Sequence, residues 1–161
     1  MRLKERAVFI SAFLFVVGII IGIIFHPIKI PIPKSPEEVA FLHLFVHNLI
    51  IILFLSGGGF LFALPTILIG IWNAFLAGAL FRAVLHEPIW FLIVIIHGIP
   101  ELSGQFCGTV CGFKVAFNLF NTIAYDSKFR MKDILYWFVL AVWLTFIAAI
   151  LEWKVASFLL K

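Results

Sequence analysis

Four ionisable side chains of types that bind cations or move protons stand out because they lie inside apolar runs. His97 and Glu101 stand four apart in His97-Gly98-Ile99-Pro100-Glu101-Leu102, and His43 and His47 are four apart in an earlier run. That spacing puts each pair on one face of a helix. A charged group at bilayer depth costs about 2.5 to 3.5 kcal/mol even on lenient insertion scales, so such groups face the protein interior, take a partner and mark a function.

Imidazole nitrogens and a carboxylate suit zinc and similar divalent ions, and residue pairs on two helices are how helical bundles build metal sites. His43, His47, His97 and Glu101 are therefore the candidate ligands, with Asn48, Asn73 and Gln105 placed to orient them. If one coordination position stays open, a bound water becomes a nucleophile near neutral pH, and Glu101 or His97, whichever is unligated, serves as the base. The chemistry would be hydrolysis of a peptide or lipid-linked substrate at membrane depth. A simpler reading needs no metal: neutral histidines and amides hydrogen-bond across helices and fix the packing. The sequence has no HExxH signature, and HxxxH alone is a weak sign of metal.

The elements that carry these residues follow from composition. The 161 residues are 64% hydrophobic with a mean hydropathy of +1.19, too apolar for a soluble domain and enough for about five spans of roughly 20 residues. The net charge of +4 does not indicate nucleic acid, because the basic residues sit at the ends of apolar runs and form no stripe interleaved with aromatics. The fold class is all-α: one integral membrane domain over residues 1–161, a polytopic bundle of about five helices. The spans fall at about 7–26, 36–55, 65–84, 88–114 and 133–153, each near bilayer thickness.

The first run, Ala7 to Phe25, is too long for a secretory signal core and reads as a span. Pro27, Pro31 and Pro33 make the next segment extended, and Ser35-Pro36-Glu37-Glu38 is a helix N-terminal signature. Ser56-Gly57-Gly58-Gly59 suits a tight return, and Pro65 and Pro88 sit where helices begin. Pro100 cannot donate to the Ile96 carbonyl, so helix four is expected to kink or break there, eased by Gly98. Tyr136, Trp137 and Trp153 read as interfacial belts, and Lys114 as a residue that snorkels to the interface. Asn118 and Asn121 read as cap and loop residues, His26 and His86 as surface histidines. Cys107 and Cys111 read as packing residues.

Depth brings the polar residues to one level. At 1.5 Å per residue from the outer helix ends, His43, His47, Asn73, His97 and Glu101 all lie about 10 to 20 Å in. Small residues then suggest which helices touch: Gly104, Gly108 and Gly112 form a ridge on helix four, and Gly70, Ala74 and Gly78 a matching one on helix three. Helices three and four are expected to be a tight central pair. The excess of Lys and Arg at the N-terminus and in the 128–132 loop places the N-terminus in the cytoplasm and the C-terminus outside.

Asn48, the Gly70–Gly78 segment with Trp72-Asn73-Ala74, and above all His97-Gly98-Ile99-Pro100-Glu101-Leu102 followed by a glycine-rich helix resemble the stage II sporulation protein M family of membrane proteins. The resemblance runs from helix two through helix five, with Ala74 where the family usually has glycine. It carries over His97 and Glu101, whereas His43 and His47 rest on depth alone. It implies a cell-envelope role, since the sporulation member is associated with a wall-degrading machine at a septal membrane and some relatives accompany circular bacteriocin genes. Three functions are thus expected to compete: a metal-dependent intramembrane hydrolase, a non-enzymatic scaffold or anchor for a cell-envelope complex, and a carrier of a small solute or ion. The partners expected are the lipid bilayer, a second copy of the chain and other envelope proteins, but no nucleic acid.

Overall fold

The structure is a computed structural model that describes residues 3–25 and 41–159. The proline-rich connector, the Ser35–Glu38 cap and His26 lie outside the described residues. Five helices follow in order: α1 (Leu3–Ile24), α2 (Phe41–Gly57), α3 (Leu64–Val84), α4 (Pro88–Tyr125) and α5 (Met131–Leu159), with one 3-10 turn at Gly58–Leu61. All five are long and apolar enough to cross a membrane. The described chain is all-α, as the composition requires.

The bundle has small residues inside and large ones outside, as expected where lipid rather than water surrounds the protein. On α5 Ile134 is buried near the start and beyond it the buried positions are all small, Ala141, Thr145, Ala148 and Ala149, while Val139, Trp143 and Ile147 point outward. On α1, Phe9, Phe13, Val16 and Ile20 form an outward stripe at helical spacing.

The small-residue ridges pair differently from the expectation. Gly78 lies against the Ile19 backbone of α1, and Gly18 and Gly22 of α1 lie against Ala74 and Phe75 of α3. Ala74 and Gly78 of α3 are thus spent on α1 through a second GxxxG, Gly18 to Gly22, whereas Gly70 faces Thr109 of α4 as expected of that ridge. The most extensive contacts in the bundle are α4 with α5 and α1 with α3, not α3 with α4. On α4 the three ridge glycines diverge: Gly104 faces Thr145 and Ala141 of α5, Gly108 faces Ile52 and Leu55 of α2, and Gly112 meets the Leu55 carbonyl and Thr66. Four-residue spacing overshoots a 3.6-residue turn by about 40° each time, which is enough to turn successive glycines toward different neighbours.

The return between α2 and α3 also corrects the sequence reading. None of its glycines has positive φ; the left-handed residues are Phe62 (φ 51°) and Ala63 (φ 65°). Gly58 and Gly59 serve close approach instead, Gly58 against Thr66 and Gly59 against the Gly112 backbone and Val115. The buried Thr66 hydroxyl then donates to the Leu55 carbonyl over 2.8 Å, tying α3 to the end of α2.

α4 begins at Pro88 as expected, but it stays helical through Pro100 and on to Tyr125, past the end assigned to its span. The proline therefore causes no break in the helix. α5 likewise extends beyond its expected limits at both ends.

Candidate functional site between α4 and α5

α4 and α5 are joined by a short loop and run antiparallel, so one contact sets the rest of the register. Gly104 has no side chain, and Thr145 takes the space: a Cβ at 104 would lie 2.8 Å from Thr145 Oγ1. Seven residues make almost two full turns, about 10.5 Å along the axis. Stepping seven back from Gly104 gives His97, and stepping seven on from Thr145 gives Glu152, on the same faces and at the same level. Glu101 lies one turn from His97 on that face of α4.

The side chains meet accordingly. Ligating atoms of His97, Glu101 and Glu152 all lie within 4.8 Å of one another, and each residue is half-buried. An aromatic cluster holds this end of α5. Phe41 and Phe45 of α2 make edge contacts with Phe146 (centroids 5.7 and 5.5 Å apart), and Phe41 also contacts Trp153, the residue after Glu152.

Hydrogen bonds orient two of the three groups. His97 Nδ1 lies 2.6 Å from the Ile93 carbonyl oxygen. A carbonyl only accepts, so Nδ1 is the protonated nitrogen and donates. Nε2 therefore carries the free lone pair, the arrangement typical of a metal-binding histidine. Gln105 Nε2 donates to Glu101 Oε1 over 3.0 Å. The buried Gln105 Oε1 has no hydrogen-bond partner among the described residues.

The other expected members lie elsewhere. His43 and His47 are exposed and outside this group. α2 turns Asn48, Ile52, Leu55 and Ser56 into the bundle, and a histidine one residue before Asn48 is rotated about 100° away from that face. Asn48 is buried, as expected of a polar residue at this depth. Asn73 donates to the Ile69 carbonyl of its own helix over 2.8 Å. Of the three expected orienting residues, the structure ties Gln105 to the site by a hydrogen bond. Glu152 is the residue that sequence reasoning missed. It falls in the last turn of the span expected at 133–153, where nothing in the sequence singles it out, whereas the helix continues to Leu159.

Five helices long and apolar enough to cross a membrane, with two carboxylates and an imidazole clustered between α4 and α5, define a class: a small polytopic membrane protein. Residues 11–156 match the model of the family described as stage II sporulation protein M, and the chain belongs to that family. The match reaches into α1, beyond the stretch on which the resemblance rested. A protein of Methanocaldococcus jannaschii described as uncharacterized is 30% identical over 128 residues, covering 71% of each chain. No solved structure matches.

Proposed function

We propose that His97, Glu101 and Glu152 bind one divalent cation inside the membrane, and that this site makes the protein a metal-dependent hydrolase acting on a peptide or lipid-linked substrate. The carrying observation is the convergence of three ligating side chains within 4.8 Å across two helices. The donor set fits such an ion: a histidine whose Nε2 is left free by the Nδ1 bond, and two carboxylates, one held by Gln105. One nitrogen and two carboxylates suit zinc, and equally the harder ions manganese and iron.

Three protein ligands would leave one coordination position for water, and a bound divalent cation would make that water a nucleophile near neutral pH. The chain's own residues do the rest. Gln105 fixes the Glu101 carboxylate, and its Oε1, without a partner among the described residues, would be free to accept a hydrogen bond in the site. The apolar walls of α4 and α5 keep other water away. With the N-terminus in the cytoplasm, as the basic residues at the ends of α1 and α4 favour, the site lies in the outer half of the membrane. His97 is nine residues, about 14 Å, from the outer end of α4, a depth reachable from the cell envelope.

Elemental analysis of detergent-purified protein tests the proposal. One equivalent of metal is expected in the wild type, absent in His97→Ala, Glu101→Gln and Glu152→Gln, and retained in His43→Ala and His47→Ala. A wild type that stays metal-free after growth and dialysis with zinc, manganese and iron ends it.

A second reading is favoured by the ligands coming from two different helices. The cation then clamps α4 to α5 in a non-enzymatic anchor for an envelope complex. Glu152→Gln in that case lowers thermal stability and complex assembly, with no hydrolytic activity in the wild type to lose.

A further inference from the structure

At the other end of the α4–α5 hairpin a cavity of about 550 Å³ opens beside the loop, within the usual ligand-pocket range of about 300 to 1,000 Å³. Its walls carry Lys114, Asn118, Asn121, Lys128, Arg130 and Asp133. Three cations face one carboxylate, so the lining keeps an excess of positive charge. Phe117 gives it one apolar wall, and Tyr125 and Ser127 add hydroxyl groups.

The height of the cavity points to its ligand. α4 has 38 residues, about 57 Å of helix against about 30 Å of hydrocarbon. If the hydrocarbon begins near Trp90, about 20 residues bring α4 to Val110. Lys114 then sits one turn further on, level with lipid phosphates, and the loop residues lie just beyond. Lys114 is 6% exposed, so it is buried within the bundle and lines the cavity from inside instead of snorkelling along the lipid face as expected.

The site is also preformed. Asn118 donates to the Lys114 carbonyl (2.8 Å), and its side-chain oxygen accepts from the Arg130 backbone N–H (3.3 Å). That pair of bonds fixes the loop carrying Lys128 and Arg130 over the cavity. Thr122 donates to the Asn118 carbonyl over 2.9 Å, bracing the same turn of α4. The Asp126 turn, with φ 48°, reverses the chain and lets the loop fold back.

We propose that this cavity binds the phosphate-bearing head group of an anionic phospholipid, with Lys114, Lys128 and Arg130 meeting the phosphate and Phe117 lying along the first acyl carbons. Basic pockets at the membrane surface bind anionic head groups in this way. The occupancy is separate from the His97 site, which lies at the far end of the same two helices.

Native mass spectrometry of the detergent-purified chain tests it, with short-chain phosphatidylglycerol, short-chain phosphatidylcholine and inorganic phosphate as the three probes. Phosphatidylglycerol is expected to bind and phosphatidylcholine to bind much more weakly. Lys128→Gln/Arg130→Gln, both exposed positions, should weaken phosphatidylglycerol binding about 25-fold, at about fivefold per cation, while keeping the wild-type circular dichroism spectrum. Competition by millimolar inorganic phosphate identifies the phosphate as the recognised group; lipid binding that phosphate does not displace, but that the double variant loses, identifies the whole head group. Equal binding of the two lipids, or phosphatidylglycerol binding undiminished in the folded double variant, overturns the proposal.

Discussion

Replacing single glycines on α4 by alanine measures directly how closely its backbone approaches each neighbour. A methyl at Gly112 would overlap the Leu55 carbonyl oxygen and stand 2.8 Å from Thr66 Cγ2. The Leu55 carbonyl also accepts the Thr66 hydroxyl, so it cannot swing aside without losing that bond. Overpacking against a fixed neighbour costs about 1 to 3 kcal/mol, against about 1 kcal/mol gained in helix propensity. The lost Thr66 bond adds about 0.6 kcal/mol. Gly112→Ala should therefore lose about 0.6 to 2.6 kcal/mol net, which at about 2 to 4 °C per kcal/mol lowers Tm by roughly 5 °C. At Gly108 the nearest atoms are Ile52 Cδ1 at 3.3 Å and Leu55 Cβ at 3.4 Å. A flexible side-chain end can yield there, so the propensity gain about cancels the crowding and Gly108→Ala stays within about 1 kcal/mol of wild type. Tryptophan fluorescence during thermal unfolding in detergent gives both values. A Gly112→Ala protein as stable as Gly108→Ala would refute the packing of α2 on α4.

Three further outcomes are expected. Ala63→Gly relieves a left-handed backbone at a non-glycine residue and should stabilise the protein by about 1 kcal/mol in the same assay. Asn118→Ala removes both the Lys114 and the Arg130 contacts of its side chain; hydrogen exchange at 126–130 should speed up while α1 to α3 are unchanged. Gly78→Ala pushes a methyl onto the Ile19 backbone and should cost about 1 to 3 kcal/mol, separating α1 from α3 and not α4 from α5.

Much of this architecture is legible in the sequence because lipid imposes simple rules. Apolar runs of span length, prolines at helix starts and small residues at contacts are local signals, and α3 and α4 begin where Pro65 and Pro88 predict. Partner choice is less local. The small residues Ala74 and Gly78 read as a face toward α4, and only the three-dimensional arrangement shows that Gly18 and Gly22 of α1 occupy it. The site was half legible for the same reason. His97, Glu101 and Gln105 are linked by spacing along one helix, whereas Glu152 joins them through the antiparallel register that Gly104 and Thr145 set. Depth alone suggested His43 and His47, because depth says nothing of rotation about a helix axis, and the buried stripe through Asn48 and Ile52 turns both outward.

The central claim is that His97, Glu101 and Glu152 share one cation. X-ray absorption at the edge of the bound metal tests it most directly, because imidazole and carboxylate ligands scatter differently. The account predicts a first shell of one imidazole nitrogen with oxygen ligands in the wild type and no bound metal in Glu152→Gln. Two or more imidazoles, or an unchanged shell in Glu152→Gln, would contradict it.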